Sequence, residues 1–245
     1  MKAIILAAGR GSRMGDATED LPKCMAELGG GTLLGHLVSS LQKAGFGLGD
    51  IGIVTGYKKE KVTVDGAVYF HNPDWDRTNM FYSLLKAGGW LEAKTCIVCY
   101  SDIYVSPNAI MTLKNAAGDI AITSYADFLK LWQLRFANPL DDLETFRLAD
   151  SKLTEIGKRP ESLDEVQGQF MGLIRFTPTG WAAVMEAVRT GLPTPVGKID
   201  MTGLLRHLVT LGHDVEVLDT HDLWLEVDSQ NDVEVYEGHF RFLPF

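Results

Sequence analysis

Residues 1–23 read MKAIILAAGRGSRMGDATEDLPK, and this stretch decides the fold. Lys2 to Ala8 is a short apolar run, which predicts a strand buried on both faces of a parallel sheet. It is followed by GRGSRMG, residues 9–15, whose glycines permit a tight turn and a close approach to a ligand. Successive backbone N–H groups in such a loop form a cradle for phosphate oxygens. The stretch therefore predicts an α/β fold that binds an anion beyond its first strand.

Three basic side chains, Arg10, Arg13 and Lys23, accompany this loop and indicate that the anion is a polyphosphate. Two better-known phosphate loops are excluded. The dinucleotide fingerprint requires a glycine where Met14 stands, and the P-loop requires a lysine after Gly15, where an aspartate follows. A glycine turn with surface basic residues is the alternative that these residues leave open.

The composition bounds the class of protein. A chain of 245 residues, 46% hydrophobic and 22% charged, is long enough for one large α/β domain with a sizeable core. The net charge of -9 argues against a nucleic-acid partner. Because no apolar run approaches the length of a membrane span, we expect a cytoplasmic protein with no membrane partner.

The cysteines favour packing over chemistry. Cys24 stands alone, while Cys96 and Cys99 form a CxxC within an apolar segment. A zinc site needs two further ligands, and the sequence contains no second CxxC and no HxxxH. We therefore predict that both lie in a buried strand as small apolar residues, with a redox or zinc role as the alternative.

The first half of the chain alternates predicted strands and helices, which implies right-handed parallel crossovers. The predicted strands cover residues 50–56, 67–70 and 95–100, and the predicted helices cover residues 32–45 and 79–91, with another beginning near Pro107.

Beyond Asp119 the pattern changes to shorter strands. Strands are predicted at residues 120–125, 133–136, 167–176, 215–218 and 223–227, a hairpin at 146–157 turning near Asp150 and Ser151, and helices at 181–189, 201–211 and from Ser229. No Gly/Ser linker interrupts the chain, so we expect a single domain. Its parts would be a nucleotide-binding half at about 1–118, an acceptor-binding half at about 119–228 and a C-terminal helix at 229–245.

Carboxylates stand at two predicted strand ends. Asp102 follows the strand at residues 95–100, and ligands of open α/β sheets bind beyond the carboxyl ends of the strands. Strand alternation places Glu226 and Asp228 on one face. Carboxylates so arranged suit Mg²⁺ bound to phosphates. Helix capping is the alternative for Asp102 and for the segment at Asp228 and Ser229.

The composite pattern Leu6-Ala-Ala-Gly9-x-Gly11-Ser-Arg13-Met14, followed by Leu21-Pro-Lys23, resembles the signature of the sugar-phosphate nucleotidyltransferases. Within that superfamily the chain resembles the CTP-dependent cytidylyltransferases of phosphonate biosynthesis and capsule modification, which act on phosphonates, phosphoglutamine and, more distantly, phosphocholine. The segments that carry this second resemblance are Tyr100-Ser-Asp-Ile103, Trp132-x-x-Arg135, Asp141-Asp-x-Glu144, Ile156-Gly-Lys158, Gly168–Leu173 and Trp224-x-Glu226-x-Asp228.

The resemblance implies a Rossmann-like, three-layer α/β nucleotidyltransferase fold with a mixed, mostly parallel central sheet and a small inserted β-rich acceptor-binding region. It implies Mg²⁺-dependent transfer of CMP from CTP to the phosphonate or phosphate of a small acceptor, with release of pyrophosphate. A sugar-1-phosphate nucleotidyltransferase using another nucleotide, and a non-catalytic nucleotide-binding module, are the alternatives. A homodimer is left open.

The resemblance also assigns site residues. Arg13 and Lys23 would be catalytic, and Asp102, Glu226 and Asp228 would hold the metal. The nucleotide would be bound by Leu6, Ala7, Ala8, Gly9, Arg10, Gly11, Ser12, Arg13, Lys23 and Ser101.

The acceptor would be bound by Trp132, Arg135, Asp142, Glu144 and Lys158. Arg135 suits an acidic acceptor, whereas Trp132 and the carboxylates suit an aminated one, and both readings stay open. Packing of a subdomain or subunit interface is the alternative for Trp132. A place at the edge of the hairpin is the alternative for Lys158.

Overall fold

The computed structural model describes residues 1–240, apart from the side chains of Asp16 and Ala17. The strands in this range are β1 (Lys2–Ala7), β2 (Glu27–Leu28), β3 (Gly31–Thr32), β4 (Ile51–Thr55), β5 (Val68–His71), β6 (Cys96–Tyr100), β7 (Ile103–Val105), β8 (Ile120–Tyr125), β9 (Phe146–Ala149), β10 (Lys152–Ile156), β11 (Gln169–Phe176), β12 (Glu216–Thr220) and β13 (Trp224–Glu226). The α-helices are α1 (Leu33–Lys43), α2 (Met80–Leu84), α3 (Gly88–Ala93), α4 (Pro107–Lys114), α5 (Phe128–Arg135), α6 (Pro178–Thr190), α7 (Met201–Thr210) and α8 (Gln230–His239).

In the described part of the chain, one sheet of nine strands has the order β5-β4-β1-β6-β11-β8-β12-β10-β9. The four strands from the first half pair in parallel, whereas β11 and the β9–β10 hairpin introduce antiparallel pairs. The predicted mixed α/β fold is confirmed. Strands from both halves of the chain belong to this one sheet.

The core lies on both faces of the sheet, as the continuous apolar run of β1 predicts. Alternate residues of β1 enter different clusters: Ile4 packs with residues of α2, α3, α6 and α7, and Ile5 packs with residues of α1 and α4. Both isoleucine side chains are fully buried. The result is a sheet between two helical layers, which holds the carboxyl end of β1 in a fixed position.

Most predicted elements are present, and the hairpin turns at Asp150 and Ser151, both of which have positive φ. The strand predicted at residues 133–136 is wrong, because Gln133 to Arg135 complete α5. The buried residues of that helix, Phe128, Leu131, Trp132 and Arg135, follow helical spacing and not alternation.

Two further predictions differ in detail. The helix predicted at 79–91 is divided into α2, a 3₁₀ turn and α3, which begins at Gly88. The C-terminal helix ends at His239, and residues 241–245 of the predicted range lie outside the described residues.

The three cysteines are buried and free, and Cys96 and Cys99 lie in β6 as predicted. Burial raises the pKa of Cys96 to about 12, so its thiol stays neutral at physiological pH. Over residues 1–240, the helices are all too short or too polar to cross a membrane.

Candidate active site

The site lies where β1 and β6 end side by side. The two strands are parallel neighbours, with Leu6 opposite Tyr100, so the glycine loop and Asp102 leave the same edge of the sheet. Asp228 reaches this edge through β13, which pairs with β7, and the backbone N–H of Val227 donates to the carbonyl of Asp102. Three segments far apart in sequence therefore meet at one point.

The glycine loop packs directly on the side chain of Lys23. Gly11 has φ 77°, and a Cβ there would lie 2.5 Å from Cβ of Lys23, so a larger residue is excluded. The hydroxyl of Thr18 donates to the carbonyl of Gly11 at 2.9 Å and closes the loop. Glycine at position 11 thus allows the lysine stem to pass beneath the loop.

Lys23 joins the two carboxylates at the centre of the site. Its Nζ lies 2.7 Å from Oδ2 of Asp102 and 2.6 Å from Oδ1 of Asp228. Burial acts to lower the pKa of Lys23, but the two carboxylates outweigh this effect and raise it, so the lysine is protonated. Arg13 approaches from the solvent side, with Nη2 2.8 Å from Oδ1 of Asp228.

The pKa values of Asp228 and Glu226 are shifted in opposite directions. Burial raises the pKa of Asp228, but Lys23, Arg13 and Arg135 outweigh burial and hold it below its usual range. Burial, together with the charges of Asp228 and Asp102, raises the pKa of Glu226 to about 8. Of these two groups, Asp228 is therefore the one that stays ionised at neutral pH.

A divalent cation fits two of the three predicted ligands. Oδ1 of Asp102 is buried and accepts no hydrogen bond from the described residues, which leaves it free for a cation. Asp228 supplies a second carboxylate beside it, whereas Glu226 contacts the buried Arg135 at 3.4 Å. Within residues 1–240 no three His, Cys, Asp or Glu side chains form a metal cage by themselves. Further ligands must therefore come from phosphate oxygens or water, as Mg²⁺ prefers.

One cavity, of about 250 Å³, opens beside Asp228 and contains most of the predicted acceptor residues. Its wall includes Trp132 and the aromatic rings of Tyr100 and Phe170. Burial and the nearby Asp200 raise the pKa of Glu144 to about 6. The five carboxylates in the lining are Asp142, Glu144, Asp200, Glu226 and Asp228.

A second cavity, of about 170 Å³, lies on the other side of Tyr100 and Met80, which line both. It contains six of the predicted nucleotide-binding residues, namely Leu6, Ala8, Gly9, Gly11, Lys23 and Ser101. The remaining predicted residues differ: Ala7 is buried in β1, Arg10 and Ser12 are exposed, and Arg13 lines the first cavity.

Sequence reasoning missed part of the second cavity. Trp75 lines the second cavity, and no local pattern marks it. Asn72 is fully buried and donates to the hydroxyls of Thr78 and Ser83, which also line that cavity. Asp200 was not missed: the sequence predicts it as a helix cap, with contact to the acceptor as the second possibility, and it caps α7 and lines the first cavity.

Two predicted acceptor residues do not reach the cavity. The side chain of Arg135 is fully buried among carboxylates, behind Asp228. Lys158 is largely exposed and pairs with Glu155, because it lies at the edge of the hairpin. Trp132 lines the cavity but also stacks on Trp224, and its Nε1 donates to Asp142 at 3.1 Å. Trp132 therefore has packing contacts as well as a place in the wall of the cavity.

The sheet, the glycine loop beneath which Lys23 passes, and the facing carboxylates define an α/β enzyme that binds a nucleoside triphosphate. The chain belongs to the MobA-like NTP transferase domain family, whose model matches residues 3–162, and is a nucleotidyltransferase. The resemblance seen in the sequence is confirmed.

The chain is similar to named proteins over its whole length. It is 31% identical to CTP:phosphoglutamine cytidylyltransferase of Campylobacter jejuni, over 96% of this chain and 98% of that protein. It is 26% identical to CMP-5'-(3-aminopropyl)phosphonate synthase of Streptomyces rubellomurinus, over 100% of this chain and 39% of that protein. The fold resembles the inositol-1-phosphate CTP transferase of T. maritima, with a TM-score of 0.73 and 20% identity over 96% and 94% of the two chains.

Proposed function

We propose that the protein transfers CMP from CTP to the phosphate or phosphonate group of a small aminated acceptor and releases pyrophosphate. The observation that carries the proposal is the cluster of Arg13, Lys23, Asp102 and Asp228 between two adjoining cavities. One cavity suits a nucleotide and the other an acceptor. The named relatives that act with CTP or form a CMP conjugate support the choice of nucleotide.

In this proposal the glycine loop and Lys23 bind the triphosphate. Backbone N–H groups of the loop, with Arg13 and Lys23, neutralise its charge. Asp102 and Asp228 would hold Mg²⁺, which would add positive charge beside the phosphates. Binding of the triphosphate therefore redirects the ammonium group of Lys23 from the two carboxylates to the phosphate oxygens.

The reaction is an in-line displacement. An acceptor oxygen forms a bond to the α-phosphorus of CTP, and the bond to the β-phosphate bridging oxygen breaks, so that pyrophosphate leaves with the electron pair. The acceptor oxygen is already ionised at neutral pH, so the step needs no general base. Positioning by the two cavities and charge neutralisation by Arg13 and Lys23 then supply the catalysis.

The charge of the acceptor cavity supports an aminated acceptor. Among the described residues, Arg13 is the one basic side chain in a lining that holds five carboxyl groups, of which Glu226 has its pKa raised to about 8. Arg135, on which the acidic-acceptor reading depended, lies behind the carboxylates and is fully buried. A protonated amine beside Asp142 and Glu144 would be paired with carboxylates and flanked by aromatic rings. The acceptor phosphate would then lie toward Arg13.

The test is pyrophosphate release with Mg²⁺ and CTP for a matched pair of acceptors, 2-aminoethylphosphonate and 2-hydroxyethylphosphonate. Hydrogen bonds to charged groups contribute about 1.5–3 kcal/mol, so we expect kcat/KM to favour the amine by about 10–100-fold. Phosphoglutamine and phosphocholine extend the aminated set, and phosphonoformate and glucose 1-phosphate serve as acceptors without an amine.

The remaining outcomes separate the alternatives. Activity with glucose 1-phosphate alone, or a preference for UTP, dTTP or GTP, would identify a sugar-1-phosphate nucleotidyltransferase. Equal rates for the two matched phosphonates would keep the cytidylyl transfer and reject the amine. Binding of CTP without pyrophosphate release for any acceptor would favour a binding module.

A further inference from the structure

The two carboxylate oxygens of Asp228 face different cations. Oδ1 contacts Lys23 and Arg13 on the ligand side of the site, at 2.6 and 2.8 Å. Oδ2 lies 3.4 Å from Nη2 of Arg135 on the opposite side. The side chain of Arg135 has no solvent exposure, so it cannot contact a ligand directly.

Arg135 is itself held by Asp232, the third residue of α8. Nε of Arg135 donates to Oδ1 of Asp232 at 2.9 Å, and its Nη1 lies 3.4 Å from Oε2 of Glu226. The guanidinium also packs over the rings of Trp132 and Phe136, at 5.2 and 5.0 Å from their centres. These contacts from several directions fix its orientation.

Asp232 also holds the backbone of Asp228. Its Oδ2 accepts from the backbone N–H of Asp228 at 2.9 Å and of Ser229 at 2.8 Å, as part of the capping box that begins α8. Asp232 therefore fixes the main chain of Asp228, while Arg135 fixes one oxygen of its side chain.

We propose that Arg135 and Asp232 form a positioning pair that holds Oδ1 of Asp228 toward the ligand side. The inference rests on the proposed function, in which Asp228 holds the metal and balances Lys23. Residues that orient a metal ligand typically change metal affinity or activity by about 10–100-fold when they are replaced. Lysine at position 135 would keep the charge but lose the planar fork that reaches Asp232, Asp228 and Glu226 together.

The experiment uses Arg135→Lys and Asp232→Asn in the full chain. Asparagine keeps an oxygen for the helix cap but lacks the charge that pairs with Arg135, so the second variant separates capping from positioning. The matched control is Arg147→Lys, which alters the exposed pair with Glu165 away from the site. Circular dichroism and thermal unfolding establish that each variant is folded.

The readouts are CTP-dependent binding of Mn²⁺, followed by its electron paramagnetic resonance signal, and kcat with the half-saturating Mg²⁺ concentration. For both variants we expect Mn²⁺ affinity and kcat to fall by about 10–100-fold. The control should match wild type. The double variant should lose little more than either single variant, because both act on one carboxylate.

Lower thermal stability with unchanged Mn²⁺ affinity, kcat and Mg²⁺ requirement would overturn the proposal and leave the pair a structural role. If Arg135→Lys does not fold, Asp232→Asn carries the same test. Mn²⁺ binding is measured without an acceptor, so it remains decisive even if the wild-type protein transfers nothing. Absence of CTP-dependent Mn²⁺ binding in wild type would also overturn the proposal.

Discussion

Lys23 and Arg135 bind the same carboxylate from opposite sides, and they behave as different kinds of cation. Lys23 lies beneath the glycine loop, lines the second cavity and is 11% exposed. Arg135 has no exposed side-chain surface and contacts Asp228, Glu226 and Asp232. A cation on the ligand side can exchange partners with a phosphate, whereas a cation enclosed by carboxylates fixes their geometry. The position of a charge, more than its presence, decides its role.

The largest effect is expected on the ligand side, at Lys23. Lys23→Ala should lower kcat by about 10²–10³-fold, the usual cost of one electrostatic contact in a transition state. Pyrophosphate release measures it, with circular dichroism as the check of folding. Lys152→Ala, which removes a surface pair with Asp214, is the control. A near-wild-type rate for Lys23→Ala would remove this lysine from the mechanism.

Replacement of Asp102 tests the other partner of Lys23. Asp102→Ala should also cripple turnover while leaving the fold intact, again by about 10²–10³-fold, since it removes a carboxylate that the proposal assigns to the metal. The measurement is the rate over a range of Mg²⁺ concentrations. An undiminished rate at low Mg²⁺ would show that Asp102 is dispensable and acts at most as a partner of Lys23.

The first cavity, which is proposed to bind the acceptor, should respond more weakly. Asp142→Asn, at a carboxylate that accepts from Trp132, should raise KM for an aminated acceptor by about tenfold, the cost of one charged contact at the low end. KM for CTP should change by less than about twofold, because Asp142 lines the first cavity and not the second. A larger change for CTP than for the acceptor would reverse the assignment of the cavities.

Glu144 gives a prediction for stability. Because burial and Asp200 raise its pKa to about 6, ionisation costs folded-state stability, and that cost appears as pH rises from about 4.5 through 6. Glu144→Gln should therefore be more stable than wild type at pH 7.5, by at most about 2 kcal/mol. The gain should vanish near pH 4.5. Urea unfolding at several pH values measures it, and a pH-independent difference would contradict this origin.

The smallest effect is expected at Lys158. Its side chain is 60% exposed and pairs with Glu155, outside the lining of the acceptor cavity. Lys158→Ala should leave KM for the acceptor and kcat within about twofold, since exposed pairs contribute about 0–1 kcal/mol. A tenfold rise in KM would restore the role that the family resemblance implied.

The sequence predicted that the glycine loop, Lys23 and Asp102 lie at one edge of the sheet, because this signal is local. The apolar run of β1, the glycine loop and Lys23 lie within 23 consecutive residues, and the parallel pairing of β1 and β6 places Asp102 beside them. Position 11 requires glycine because the side chain of Lys23 passes directly beneath this loop.

The acceptor side was harder to predict because its contacts are distant in sequence. Arg135 is 97 residues from Asp232, and an alternating pattern at 133–136 obscured the helix that buries it. Asp232 has a local signal, the capping box with Ser229, but that signal predicts a helix start and not a contact with Arg135. Long-range pairing of this kind forms only once α5 and α8 pack against each other.

The contact of Lys23 with two carboxylates has a consequence for ionic strength. The site contains its own counter-ion before any ligand arrives, so in the proposed function CTP binding is an exchange of ion-pair partners. Exchange conserves the number of close charge pairs, and salt weakens the old and the new pairs alike. We therefore expect the affinity for CTP to vary only weakly with salt concentration. A triphosphate bound by exposed surface lysines, on a chain with the same net charge of -9, would show a stronger dependence.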